Sequence, residues 1–108
     1  MKKRHFMATH TWVSDDARDQ VLAATANMSD IDFFASFKTD DAETLAHWMG
    51  QGDFFFCQWF ATDADAIFAA LEASGLNDLM VTLPSEMQRF ISCETTTGER
   101  LVNPFDEE

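Results

Sequence analysis

The sequence predicts a single α+β domain in which a four-stranded antiparallel sheet is covered by two helices on one face. Strand and helix patterns alternate in the order β, α, β, short α, β, α, β, and 108 residues leave no room for a second core. Two of the strand patterns, His5–Val13 and Phe54–Ala61, lack a charged face, as is typical of strands inside a sheet. The chain has only enough helix to cover one side of these strands.

The first strand and the first helix follow directly from the N-terminal third of the chain. His5–Val13 alternates weakly and is followed by Ser14, a residue type that favours helix N-caps. Asp15 and Asp16 then occupy the first turn, where the helix dipole favours carboxylates. The apolar stripe at helical spacing, which predicts the first helix, consists of Ala17, Val21, Ala24 and Met28.

The next segments predict an edge strand and a short helix. Ile31–Lys38 places four apolar residues on one face and mainly polar residues on the other, which indicates a half-exposed strand. Ala42–Met49 has its apolar residues at helical spacing, and Gly50 would end that helix. Residues 51–52 then turn the chain into the next strand.

The most apolar pattern of the chain is Phe54–Ala61, which has aromatic residues on both faces. Thr62 and Asp63 are competing N-caps for a second helix that ends at Gly75. Leu79–Leu83 predicts the last strand, which Pro84 either confines to an edge or divides into two pieces. Residues 85–94 fit either a helical turn or an extended segment, and residues 99–108 form an acidic C-terminal tail.

A βαββαβ order with right-handed connections gives the ferredoxin-like arrangement, with the spatial strand order 4-1-3-2. The first and third strands are then central, in agreement with their uncharged faces. The helices leave one sheet face bare, with half of Phe6–Trp12 and half of Phe54–Phe60 on it, which exceeds the apolar patch that soluble monomers usually expose. We therefore expect a homodimer in which two copies pack sheet to sheet.

Charge and composition exclude several classes of partner. Nineteen acidic residues against seven basic ones give a net charge of −12, which repels phosphate backbones and anionic membrane surfaces. We therefore expect neither nucleic-acid nor membrane binding, and no stretch approaches 18 apolar residues. The N-terminal residues lack a secretory pattern, and Cys57 and Cys93 lie in or beside apolar strand patterns, which favours reduced thiols in a cytoplasmic protein.

The candidate site residues lie on the central strands and on the predicted short helix. His10 would serve as a base, a ligand or a hydrogen-bond donor if it faces a cavity, or else as a structural histidine bonded to a threonine or to the backbone. A parallel pairing of the central strands would bring it within reach of Gln58 or Cys57, and a Cys–His pair could hold a metal or activate a thiolate. An inert thiol among phenylalanines is the alternative. The candidate pocket residues are His10, Trp12, His47, Trp48, Cys57, Gln58 and Trp59, of which His47 and Trp48 would cap the short helix or form a lid.

The segment FFFCQWFATDADAIFAALEASGL resembles a small bacterial family within the dimeric α+β barrel superfamily, and the resemblance extends from Asp30 to Val81. It implies a ferredoxin-like dimer and, because some members bind nickel, a divalent metal as one ligand class. The superfamily also contains cofactor-independent monooxygenases, haem-degrading enzymes, dehydratases and plain ligand binders, so the fold alone does not determine the function. The chain departs from the family at Ala42–Met49 and in its acidic C-terminus, and no metal ligand is transferred.

Three functional hypotheses follow. The first is a homodimeric binding protein for a small apolar or aromatic ligand, or for a divalent metal held by His10 and carboxylates. The second is a cofactor-independent monooxygenase or isomerase with His10 as the base and Trp12 or Trp59 in the pocket wall. The third is a structural or interaction subunit without chemistry. Few polar residues are available to surround a substrate, which favours binding over catalysis.

Overall fold

The structure, a computed structural model, describes residues 2–105 and is an α+β domain with four strands and three α-helices. Within these residues no helix has the length and apolar character needed to cross a membrane. The elements in chain order are β1 (Arg4–Trp12), α1 (Asp15–Thr25), α2 (Asp30–Ser36), β2 (Ala42–Met49), β3 (Phe54–Ala61), α3 (Ala64–Ala73), β4 (Met80–Met87) and a 3-10 turn (Cys93–Thr95).

The four strands form one open antiparallel sheet in the order β2-β3-β1-β4. The α+β class and the antiparallel four-stranded sheet are therefore confirmed, and β1 and β3 are the two central strands. The described residues form three α-helices, the number that the sequence predicts, but the short one is Asp30–Ser36 and not Ala42–Met49. Side chains of α1, α2 and α3 all line the same cavity as one face of the sheet, and we call this face the inward face.

The predicted edge strand Ile31–Lys38 is wrong, because Asp30–Ser36 forms helix α2. The Ser29 hydroxyl accepts a hydrogen bond from the Asp32 amide at 3.1 Å, and Asp30 and Asp32 lie in the first turn. These local interactions favour a helix start. The apolar residues of this segment fit the period of a strand as well as that of a helix. Among the four that alternate, Phe33 and Phe37 are also one helical turn apart, and their rings are in contact.

The predicted short helix Ala42–Met49 is also wrong, because these residues form strand β2 at the sheet edge. Ala, Glu, Leu and Met favour helices, but the long edge of β3 offers a whole row of backbone partners to an adjacent strand. A hairpin loop of residues 50–53 joins the two strands, so Gly50 begins a loop and does not end a helix.

The last strand, β4, is continuous from Met80 to Met87 and lies at the other edge of the sheet. Pro84 stands opposite Ala8 inside this strand, a position that a proline tolerates only at an edge. The strand is therefore not divided at Pro84. It extends into the segment 85–94 as far as Met87, and irregular chain then leads to the 3-10 turn Cys93–Thr95.

The hydrophobic core lies between the inward face of the sheet and the helices. The inward side chains of β1 alternate with outward ones, and Phe6, Ala8 and His10 are buried while their neighbours are less so. Helix α3 contributes Ile67 and Leu71 to the same cluster. The described residues do not cover the outward face as the helices cover the inward face. Large apolar residues therefore remain exposed on the outward face. These residues are Trp48, Phe54, Phe56, Val81, Leu83 and Met87.

Candidate functional site

A cavity of about 410 Å³ lies between the inward face of the sheet and the helices. This volume is within the range of small-molecule binding sites. Such sites are also lined mainly by apolar and aromatic side chains, as this cavity is. The residues that form its floor on the sheet are His10, Trp12, Thr44, His47, Met49, Phe55, Cys57, Trp59 and Met80. The residues that cover it from α1, α2, α3 and their loops are Val21, Leu22, Thr25, Met28, Ser29, Asp30, Phe33, Phe34, Phe37, Leu71 and Leu76.

His10 is the most deeply buried polar residue of the cavity floor, with 1% of its surface exposed. Its Nδ1 atom is hydrogen-bonded to the Thr82 hydroxyl at 2.8 Å, and its ring stacks on Phe55 with 4.7 Å between the centroids. Burial, with a smaller contribution from His47, lowers the pKa of His10 from 6.5 to about 4. The ring is therefore neutral at neutral pH, and Nε2 donates or accepts according to the orientation of the Thr82 hydroxyl.

A β-bulge places His47 in the cavity. Thr44 stands opposite Trp59 while Ala46 stands opposite Gln58, so β2 contains one extra residue, Leu45. Without the bulge, the alternation that begins at Thr44 would direct His47 to the outward face. The extra residue reverses this alternation, and His47 joins the inward face opposite Cys57.

His47 and Cys57 form a buried polar contact, with 3.3 Å between His47 Nδ1 and Cys57 Sγ. Burial raises the pKa of the Cys57 thiol to about 12, so the sulfur keeps its proton and can donate it to the imidazole. Burial also lowers the pKa of His47 below its usual value. The pair is consequently a neutral hydrogen bond and not a thiolate–imidazolium pair, which would need a lowered thiol pKa.

Three buried polar atoms in the cavity wall have no hydrogen-bond partner among residues 2–105: His10 Nε2, Thr44 Oγ1 and Trp59 Nε1. An unpaired buried polar group costs about 1–3 kcal/mol relative to a paired one. Thr44 and Trp59 stand opposite each other on β2 and β3, so two of the three groups are neighbours on the sheet. A ligand or a water molecule that pairs with them would recover this cost.

Helix α2 closes the cavity with aromatic side chains. Phe33 lies 5.1 Å from the His47 ring and contacts Phe34 and Phe37 in edge-to-face geometry. None of the residues of α2 is fully buried, although it covers an apolar space. The helix therefore rests on the site chiefly through these aromatic contacts.

The structure brings five of the seven candidate residues into one wall: His10, Trp12, His47, Cys57 and Trp59. Trp48 and Gln58 lie on the outward face, where Trp48 is 50% exposed. The parallel pairing of the central strands is wrong, because β1 and β3 are antiparallel and His10 stands opposite Phe55. Predicting a short helix also misplaced His47 and Trp48, which lie in a strand and neither cap a helix nor form a lid.

Most residues of the wall were not among the candidates, and Thr44 and Phe33 show why. Thr44 was hidden by the helical interpretation of its segment, in which its polar side chain lies away from the apolar stripe. Phe33 was assigned to an edge strand, although its spacing to Phe37 is that of a helical pair. The Ser29-x-x-Asp32 spacing was the available signal for a helix start at that point.

The side chains of this wall are poorly suited to bind a metal ion. Within residues 2–105, no three side chains of His, Cys, Asp or Glu are grouped as a metal site. Metal ligation by cysteine requires the thiolate, and the raised pKa of Cys57 opposes it.

Comparisons with protein-family models, with curated proteins and with solved structures found no significant match.

Proposed function

We propose that the chain is a binding protein for a small apolar or aromatic molecule, which occupies the cavity between the sheet and the helices. The observation that carries this proposal is the cavity itself, about 410 Å³ in volume and walled mainly by apolar and aromatic side chains. Three of its apolar lining side chains, those of Leu22, Met28 and Met49, are exposed to solvent. An apolar occupant would remove this surface from water.

Binding is preferred to catalysis because of the protonation state of the two residues best suited to chemistry. A general base works best when its pKa lies near the operating pH, and the pKa of His10 is about 4. A cysteine nucleophile needs a lowered pKa, and that of Cys57 is about 12. A monooxygenase or isomerase with His10 as base would therefore need a ligand that raises the pKa of this residue.

Titration with naphthalene, an uncharged aromatic probe, tests the proposal by thermal unfolding and by ligand-observed NMR. We expect the probe to raise the melting temperature of the wild-type chain. Val21 lines the cavity from α1, and the larger side chain of Val21→Phe should occupy part of the cavity and weaken the response. Val13→Phe makes the same substitution at an exposed position outside the cavity wall and should leave the response unchanged. A wild-type chain that shows no response would indicate a structural subunit without a ligand.

We also propose that the domain is ferredoxin-like and forms a homodimer through the outward face of the sheet. Read from β4, the strand order is 4-1-3-2, and α2 is an addition within the connection between β1 and β2. Four strands of eight or nine residues present a face of about 500 Å² in projection, and Trp48, Phe54 and Phe56 are exposed on it. Exposed apolar surface of several hundred Å² often marks an interaction site.

The low charge of this face favours a second copy as its partner. On the strands β1–β4, the outward side chains include a single charged group, Glu43 at one corner, which forms an ion pair with Lys38 at 3.4 Å. The ammonium group of Lys3 lies 5.9 Å from the centroid of the outward Phe60 ring. Two chains that each carry a net charge of −12 repel one another, and a contact surface with so few charges allows them to meet where this repulsion is smallest.

The free thiols Cys57 and Cys93 suit the cytoplasmic location that we propose.

A further inference from the structure

We infer that the ligand of the cavity is an uncharged aromatic molecule with a carbonyl oxygen, and that this oxygen is bound by Trp59 and Thr44. The inference rests on the binding function proposed above and adds the chemical class of the ligand. It is carried by Trp59 Nε1 and Thr44 Oγ1, two polar atoms of paired residues that have no partner among the described residues.

The indole nitrogen of Trp59 determines the polarity of the ligand. Trp59 is 1% exposed, and its N–H group donates hydrogen bonds but cannot accept them. A buried indole N–H usually has a partner, and among residues 2–105 it has none. The ligand that completes this site must therefore carry an acceptor.

The Thr44 hydroxyl indicates which acceptor fits best. Thr44 is buried and stands opposite Trp59 on the inward face of the sheet. A carbonyl oxygen has two lone pairs, so one such atom can accept from both the indole N–H and the hydroxyl. An aromatic nitrogen has one lone pair available, and an ether oxygen, although it has two, is a weaker acceptor and carries two substituents that hinder a second donor.

The charge of the wall excludes an anionic acceptor such as a carboxylate. Among the described residues that line the cavity, Asp30 is the only one of the types Asp, Glu, Lys and Arg. His10 is neutral at neutral pH, since burial lowers its pKa to about 4. A carboxylate would lose its hydration in this space without gaining a countercharge, whereas a ketone has no charge to desolvate.

Three naphthalene derivatives that share one ring system test the inference by isothermal titration calorimetry. These are 2-acetylnaphthalene, its shape-matched alkene 2-isopropenylnaphthalene, and 2-naphthoate. The ratio of ketone affinity to alkene affinity reports the hydrogen bonds to the oxygen, because the two molecules fill the same volume. We expect this ratio to fall about fivefold in Trp59→Phe and by a similar factor in Thr44→Val. Thr96→Val, at an exposed position outside the sheet, should leave it unchanged.

The outcomes separate this inference from the function on which it rests. If the alkene binds and both variants keep the wild-type ratio, the carbonyl assignment is overturned while the binding function stands. Tighter binding of 2-naphthoate than of the ketone would also overturn it. If none of the three binds, the binding function fails and the inference fails with it. Thr44→Val is nearly isosteric, so it decides the matter even if Trp59→Phe does not fold.

Discussion

His10 and Thr82 stand opposite each other on β1 and β4, and 2.8 Å separates His10 Nδ1 from Thr82 Oγ1. The contact joins a central strand to an edge strand through two buried side chains. The Thr82 hydroxyl can donate to Nδ1 or accept from it, so both neutral tautomers of the ring are compatible with this contact. Thr82 is therefore the partner of Nδ1, whereas Nε2 has no partner among residues 2–105.

Removing the Thr82 hydroxyl should destabilise the fold. In Thr82→Val the volume is kept, but His10 Nδ1 loses its partner in a buried position. We expect the free energy of unfolding to fall by about 1–3 kcal/mol, measured by urea denaturation. Thr96→Val, at an exposed position outside the sheet, should change it by less than about 0.5 kcal/mol. Equal effects of the two substitutions would mean that the hydrogen bond adds nothing to stability.

Acid should destabilise the protein through His10. Its pKa is about 4 in the folded chain and 6.5 in the unfolded chain, so between these values the unfolded state binds more protons. The contribution of His10 to the free energy of unfolding is therefore constant above pH 6.5 and decreases as the pH falls toward 4. The total decrease is about 3 kcal/mol. The lowered pKa of His47 acts in the same direction.

The substitution His10→Gln isolates this contribution, because glutamine does not titrate. Denaturation between pH 4 and pH 7 should show a smaller pH dependence in this variant than in the wild-type chain. His5→Gln, which replaces an exposed histidine, should retain the wild-type dependence. A wild-type slope in His10→Gln would show that other groups cause the acid sensitivity.

The two cysteines should differ widely in reactivity. Cys93 is exposed, whereas Cys57 is buried and its pKa is raised to about 12. Ellman's reagent at pH 8 should therefore modify one thiol per folded chain rapidly and the second only after unfolding. Cys93→Ser should lose the rapid phase and Cys57→Ser should keep it. A rapid phase in Cys93→Ser would show that the cavity admits the reagent to Cys57.

The central part of the fold could be predicted because its residues specify one structure only. β3 is apolar on both faces apart from Gln58, and β1 has no Asp, Glu, Lys or Arg between Phe6 and Trp12, which is typical of strands inside a sheet. Helices α1 and α3 begin at Ser14 and Asp63, whose side chains accept hydrogen bonds from the amides of Ala17 and Ala66. Pattern and local hydrogen bonding agree at these places, so the sequence is sufficient.

The edge of the sheet could not be predicted because long-range pairing decides it. Ala42–Met49 has the composition of a helix, yet its backbone pairs with β3. Even a correct strand prediction would have put His47 on the wrong face, since the bulge at Leu45 reverses the alternation. The half of the site that lies on β1 and β3 was therefore predictable, and the half on β2 was not.

The proposed dimer predicts a mass in solution twice that of the 12.2 kDa chain, measured by size-exclusion chromatography with light scattering. Leu83 is 67% exposed on the outward face, so Leu83→Asp should leave the fold intact while it places a charge in the contact. In a dimer of this variant, two carboxylates would be buried against apolar surface with no cation to pair with them. This burial is costly, so the variant should elute as a monomer. Ile31→Asp on α2, where the side chain is 78% exposed, is the matched control and should remain dimeric. A wild-type chain that is monomeric at all concentrations would mean that the outward face has a different partner, since its exposed Trp and Phe side chains would still lack cover.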